Sequence, residues 1–145
     1  DVFGNITGTS ADDAFGDHRL SCTYYDAQGM FPRAYRNPAG HLMQLRFDAG
    51  LGVRTVVTDP NGFSTRWAHD GFGRLSEERR PDGTKTSYLR TRTQEPGTGW
   101  TVRLETRTDG FEDDTVEYDS QGRAVRWWSQ GVQTGALPVP RACGR

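Results

Sequence analysis

Adjacent carboxylates are the first residues whose spacing could do chemistry. Asp12-Asp13, Glu77-Glu78 and Asp113-Asp114 each set two acids side by side. General acid/base catalysis needs two such groups converging on one bond, whereas neighbours on a strand point to opposite faces. The pairs therefore read as solvated charge. His18, His41 and His69 fall on separate segments with no shared spacing. Asp109, Phe111 and Asp113 open like a calcium loop, but the later Gly and Glu ligands fall in the wrong places, which leaves room only for weak binding. No Gly-x-Ser-x-Gly elbow, phosphate loop or Cys/His nucleophile pair occurs. The expectation is a protein that is not an enzyme and uses no metal and no cofactor.

Two further residue sets could bind rather than react. Trp67, Trp100, Trp127 and Trp128, with Tyr88, could form a strip for sugar or peptide, or could pack across neighbouring strands. Strand alternation puts Trp127 and Trp128 on opposite faces, so one of them is expected to be exposed. Cys22 and Cys143 lack Cys-x-x-Cys spacing and a local His partner, so zinc is not indicated and free thiols are expected.

The elements that must position these residues are short. A chain of 145 residues suffices for one domain, yet only 33% of it is hydrophobic, so any core is thin. With 18 Gly, 16 Thr and no long stretch of Ala, Leu, Glu and Lys, composition favours strands and turns. Lys85 is the only lysine among 18 basic residues. Arginine suits a face of Trp, Tyr and Asp because it stacks and pairs bidentately, although a GC-rich genome has the same effect on composition. The net charge of −1 predicts no general affinity for nucleic acid. No apolar run reaches the ~18 residues of a membrane span. Asp1-Val2-Phe3-Gly4 shows no signal-peptide pattern and reads as the middle of something.

A repeat organises the chain. Aromatic-Asp marks occur at Tyr25-Asp26, Phe47-Asp48, His69-Asp70 and Tyr118-Asp119, and their Asp residues are spaced by 22, 22 and 49 residues. Gly29, Gly73-Arg74 and Gly122-Arg123 follow three of them. Between these lie Asn37-Pro38-Ala39-Gly40, Asp59-Pro60-Asn61-Gly62 and Arg80-Pro81-Asp82-Gly83, with Asp109-Gly110 as a degenerate fourth. Pro presets φ early in a turn, Gly accepts φ > 0, and Asp bonds main-chain amides two residues on. Two turn types are thus expected to alternate about every 11 residues. Between them, Phe63, Thr65, Trp67 and His69 share one face while Ser64, Arg66 and Ala68 share the other. The result is an all-β antiparallel meander of hairpins of about ten strands. It spans 1–134 as about five repeats and is irregular at 8–20 and 88–100. Residues 135–145 form a tail or linker, since Pro138 and Pro140 would remove ladder donors. Gln94-Glu95-Pro96-Gly97-Thr98-Gly99 reads as a longer loop.

These marks resemble the YD repeat of Rhs proteins, most closely over Tyr24 to Thr84 and again over Thr115 to Gly131. The chain is similar to Rhs-repeat proteins related to the B and C components of bacterial insecticidal toxin complexes, and teneurins carry a related shell. It departs from the pattern where Gly50 and Gly52 follow Asp48 and where His69 replaces Tyr. The resemblance implies a segment of a curved β-shell enclosing a toxin or effector polypeptide, secreted or at a bacterial cell surface. It makes the remaining shell and its cargo the partners, implies that the chain is a piece, and predicts pairing between copies at exposed sheet edges. Asp26, Gly29, Gly40, Asp48, Asp59, Pro60, Gly62, Asp70, Gly73, Pro81, Gly83, Asp119 and Gly122 would be turn formers, with Arg74 and Arg123 bracing the sheet. In Rhs shells an Asp protease releases the cargo, but Asp59-Pro60 lies in register with the turns ending at Gly40 and Gly83, and a repeat turn accounts for it. The competing class is a surface adhesin fragment that binds glycan through Trp67, Trp100, Trp127 and Trp128.

Overall fold

A computed structural model of the chain describes residues 1–12, 14–95 and 99–130. The expected tail at 135–145, Cys143, Asp13 and the middle of the 94–99 segment lie outside the described residues. The chain divides into two units, Asp1–Arg74 and Leu75 onward.

Unit 1 holds β1 (Gly8–Asp12), β2 (His18–Tyr25), β3 (Pro32–Arg36), β4 (Leu42–Asp48), β5 (Val53–Thr58) and β6 (Ser64–His69). Each strand pairs antiparallel with the next in sequence. Unit 2 holds β7 (Leu75–Arg79), β8 (Lys85–Glu95), β9 (Gly99–Thr108), β10 (Asp113–Tyr118) and β11 (Ala124–Gln130), paired in the same way. The chain is therefore an all-β antiparallel meander, and no helix occurs among the described residues.

Alternation explains the strands. Along β4, Met43, Leu45 and Phe47 are half-buried while Leu42, Gln44, Arg46 and Asp48 are exposed. Two regions expected to be irregular contain strands. Residues 8–12 form β1 and 18–20 begin β2, and residues 88–95 and 99–100 belong to a long hairpin, whose register runs from Thr86↔Thr108 to Glu95↔Gly99. Threonines make that hairpin. The hydroxyls of Thr86 and Thr108, and of Thr93 and Thr101, bond across it at 2.9 Å, and β-branched side chains suit a pleated surface. Gln94, Glu95 and Gly99, read from sequence as loop, are strand residues, and the described strands number eleven rather than ten.

Three ladders slip register, between Tyr24 and Tyr25, Arg46 and Phe47, and Glu117 and Tyr118. Each slip falls at the aromatic residue of an aromatic-Asp mark. The extra residue sits on the strand leaving the turn, at Arg33, Thr55 and Val125. A bulge of this kind sharpens the local twist and re-aims the following side chains.

No apolar side chain is fully buried among the described residues. The buried ones are Thr86, Thr101, Thr115 and Glu117. The ladders and turns, rather than a close-packed interior, hold these sheets.

Candidate functional site

The turn that follows Tyr118 shows how the repeat is fastened. Asp119 Oδ1 accepts the amides of Gln121 and Arg123, both at 2.9 Å, and Oδ2 accepts Arg123 Nε at 2.7 Å. Gly122 N donates to Asp119 O and Asp119 N donates to Arg123 O, closing the loop on itself. Gly122 sits at φ 77°, in the left-handed region that a side chain resists. Asp70 repeats the pattern with the amides of Phe72 and Arg74, at 2.9 and 3.0 Å, and Arg74 Nε at 2.7 Å. The arginines thus make their charge-assisted bonds within their own turns, each to the Asp four residues before it.

The Pro-x-Gly turns have the same build. Asp59 Oδ1 accepts the amides of Asn61 and Phe63 at 2.9 and 2.8 Å, and Asn37 Oδ1 accepts that of His41 at 2.9 Å. Asn37, Asp59, Asp70, Arg80 and Asp119 share the same pair of main-chain bonds, from the fourth residue to the first and from the first to the fifth. One turn geometry therefore recurs where two were expected. Pro60 and Pro81 occupy its second position, and Gly40, Gly62, Gly73 and Gly83 take its positive φ. At Arg80, which has no carboxylate, Asp82 substitutes by accepting the Thr84 amide at 2.8 Å and its hydroxyl at 2.6 Å.

The turns at Asp1, Asp26, Asp48 and Thr108 vary this plan, the last with Phe111 N donating to Thr108 O and Gly110 at positive φ. Asp1 Oδ1 takes the amides of Phe3 and Asn5, and Asn5 Nδ2 replaces the arginine at 3.1 Å. Asp26 takes the Met30 amide at 2.8 Å, and the Gly29 carbonyl accepts Asn5 Nδ2 at 2.7 Å, so neighbouring turns stack. A Cβ at Gly29 would overlap the Phe3 ring. Asp48 takes the amides of Gly50 and Leu51, and the positive φ falls on Gly52.

These contacts act on the carboxyl groups. The Arg123 amide and then its guanidinium hold Asp119 below the ordinary carboxylate range, against some desolvation. Desolvation works against Asp70, but the Arg74 amide and guanidinium outweigh it and the pKa falls. Hydrogen bonds from Arg79 and then Lys85 lower Glu77. Glu77 and Glu78 occupy opposite faces of β7, with Arg79 Nε 2.6 Å and Lys85 Nζ 2.9 Å from Glu77. The Asp109 carboxylate accepts the Lys85 amide at 3.0 Å, and Asp113 lies 3.7 Å from Arg107.

The tryptophans do not share one surface. In unit 2 the register places Trp100 and Trp127 on one face and Trp128 on the other. Guanidinium groups cover ring faces: Arg54 lies 4.5 Å from the Trp67 ring centre, Arg92 4.4 Å from Trp100, and Arg103 5.3 Å from Trp128.

Among the described residues the most buried ionisable side chain is Glu117, which no sequence pattern marks. It is 2% exposed and lies in register between Arg103 on β9 and Arg126 on β11. Arg103 donates to Glu117 Oε1 through two nitrogens at 3.0 and 2.7 Å, and Arg126 lies 3.5 Å from Oε2. A cross-strand charge triplet has no signal in the one-dimensional pattern, because its members come from three strands and the β11 register is offset by a bulge.

Residues 36–85 match the RHS Repeat family, which covers the turns at Asn37, Asp48, Asp59, Asp70 and Arg80. No curated protein matches the chain.

Proposed function

We propose that this chain, an RHS-repeat protein, forms part of the wall of a larger bacterial β-shell that encloses a toxin or effector polypeptide, and that it acts by holding shape rather than by catalysis. One observation carries the reading: among the described residues no apolar side chain is fully buried, while the turns are fastened by their own Asp or Asn. A sheet held in this way suits a wall one layer thick. Its half-buried apolar residues, Leu45, Val57 and Trp67 among them, would be completed by further wall or by cargo. RHS repeats are typical of extracellular and cell-surface proteins, which supports a secreted or surface location. The adhesin alternative needs an open aromatic strip, and guanidinium groups lie over three of its four rings.

The surrounding reading frame in the source genome is the first test. Further marks at the same spacing, together with a polypeptide that survives protease only while the repeats are intact, would support the shell. A frame without further repeats, or a cargo digested at the same rate with and without them, would overturn it.

A further inference from the structure

One face of unit 1 carries arginines that no carboxylate contacts among the described residues; Asp48, two residues beyond Arg46 on that face, is engaged by the amides of Gly50 and Leu51. The register sets Arg46 on β4, Val56 on β5 and Arg66 on β6 in one row across the sheet. The next row on the same face is Ala34, Gln44, Thr58 and Ser64, small or neutral side chains that floor a groove. Arg33, the extra residue of the bulge on β3, lines it too. Arg46 and Arg66 are exposed, and neither side chain has a carboxylate or hydrogen-bond partner among the described residues. This contrasts with unit 2, where Arg79, Arg103 and Arg107 are each paired with a glutamate. Asp26, the carboxylate at the groove's margin, is engaged by the Met30 amide.

We infer that this groove docks an extended acidic segment of a polypeptide, with carboxylates at positions i and i+2. The strands of Arg46 and Arg66 lie about 9.6 Å apart, two inter-strand spacings, and an extended peptide puts residues i and i+2 on one side about 6.7 Å apart. Two long arginine side chains can close that difference from either side, and each fork matches a planar carboxylate. Gln44, Thr58 and Ser64 supply donors and acceptors to the peptide backbone, and Val56 and Tyr24 supply apolar contact. The inference rests on charge placement within unit 1 and stands whether or not the chain belongs to a shell.

The test is fluorescence polarisation of the whole chain with a labelled decapeptide of alternating Glu and Thr at physiological salt. Saturable binding is expected, weakened by about tenfold or more in the Arg46→Gln/Arg66→Gln double variant. Arg54→Gln, which removes the same kind of charge from the opposite face, should stay within about twofold of the parent. Circular dichroism checks the fold. If the double variant unfolds, Arg46→Lys/Arg66→Lys keeps the charge and removes the forks, and weaker binding is again expected. No binding, an equal loss in Arg54→Gln, or tighter binding of single-stranded DNA or a sulfated glycan of equal charge would overturn the inference.

Discussion

Arg123 Nε lies 2.7 Å from Asp119 Oδ2, and Arg74 makes the same bond to Asp70 at the same length. Two turns 49 residues apart thus close by one device, in which a single carboxylate serves two amides and a guanidinium.

That device titrates. A carboxyl whose folded pKa is lowered contributes stability that is fully present above its unfolded value, about 3.9 for Asp, and lost as pH falls through the lowered folded value. Asp119→Asn keeps an oxygen for the amides and loses the charge. It should destabilise the chain at pH 7, with the difference from the parent shrinking as pH drops below about 4. Urea midpoints at several pH values check this, and a pH-independent gap would argue against it.

Gly73 adopts φ 75°, and a Cβ there would meet Val53 Cγ1 at 3.5 Å, an ordinary contact. The penalty of Gly73→Val is therefore mainly backbone strain, about 1–2 kcal/mol. An unchanged melting temperature would remove this turn from the account.

Glu117→Ala should cost about 1.5–3 kcal/mol, because it removes the acceptor of two charge-assisted hydrogen bonds from Arg103, while Arg103 and Arg126 themselves keep access to water. Native-state hydrogen exchange should show β9 and β11 loosening first. A loss spread evenly over both units would contradict the assignment.

His69 occupies the aromatic slot before Asp70, and its buried Nδ1 has no hydrogen-bond partner. Replacing it with Phe, as at Phe47, removes that unpaired atom and should stabilise unit 1 by about 1 kcal/mol. A destabilised His69→Phe would mean that the ring nitrogen has a role.

The sequence showed the turns and hid the ladder. Asp, Pro and Gly act within four or five residues, so Asp59, Gly62 and Gly122 were legible from spacing alone. The bulges at Arg33, Thr55 and Val125 were not, because an extra residue on a strand is defined only by its partner. Glu117 was hidden for the same reason: its arginines come from strands on either side. The alternation from Trp100 to Arg107 reads as strand from sequence, whereas Gln94, Glu95 and Gly99 read as loop because Pro96 and Gly97 are turn formers, and only the pairing of β8 with β9 shows them as strand residues.

Light scattering across a concentration series tests the central claim most directly. Among the described residues β1 pairs only with β2, leaving one row of its N–H and C=O groups open. A piece of wall without a core of its own should gain mass steadily as concentration rises. A constant 16.2 kDa at every concentration would mean a self-contained domain and would contradict the account.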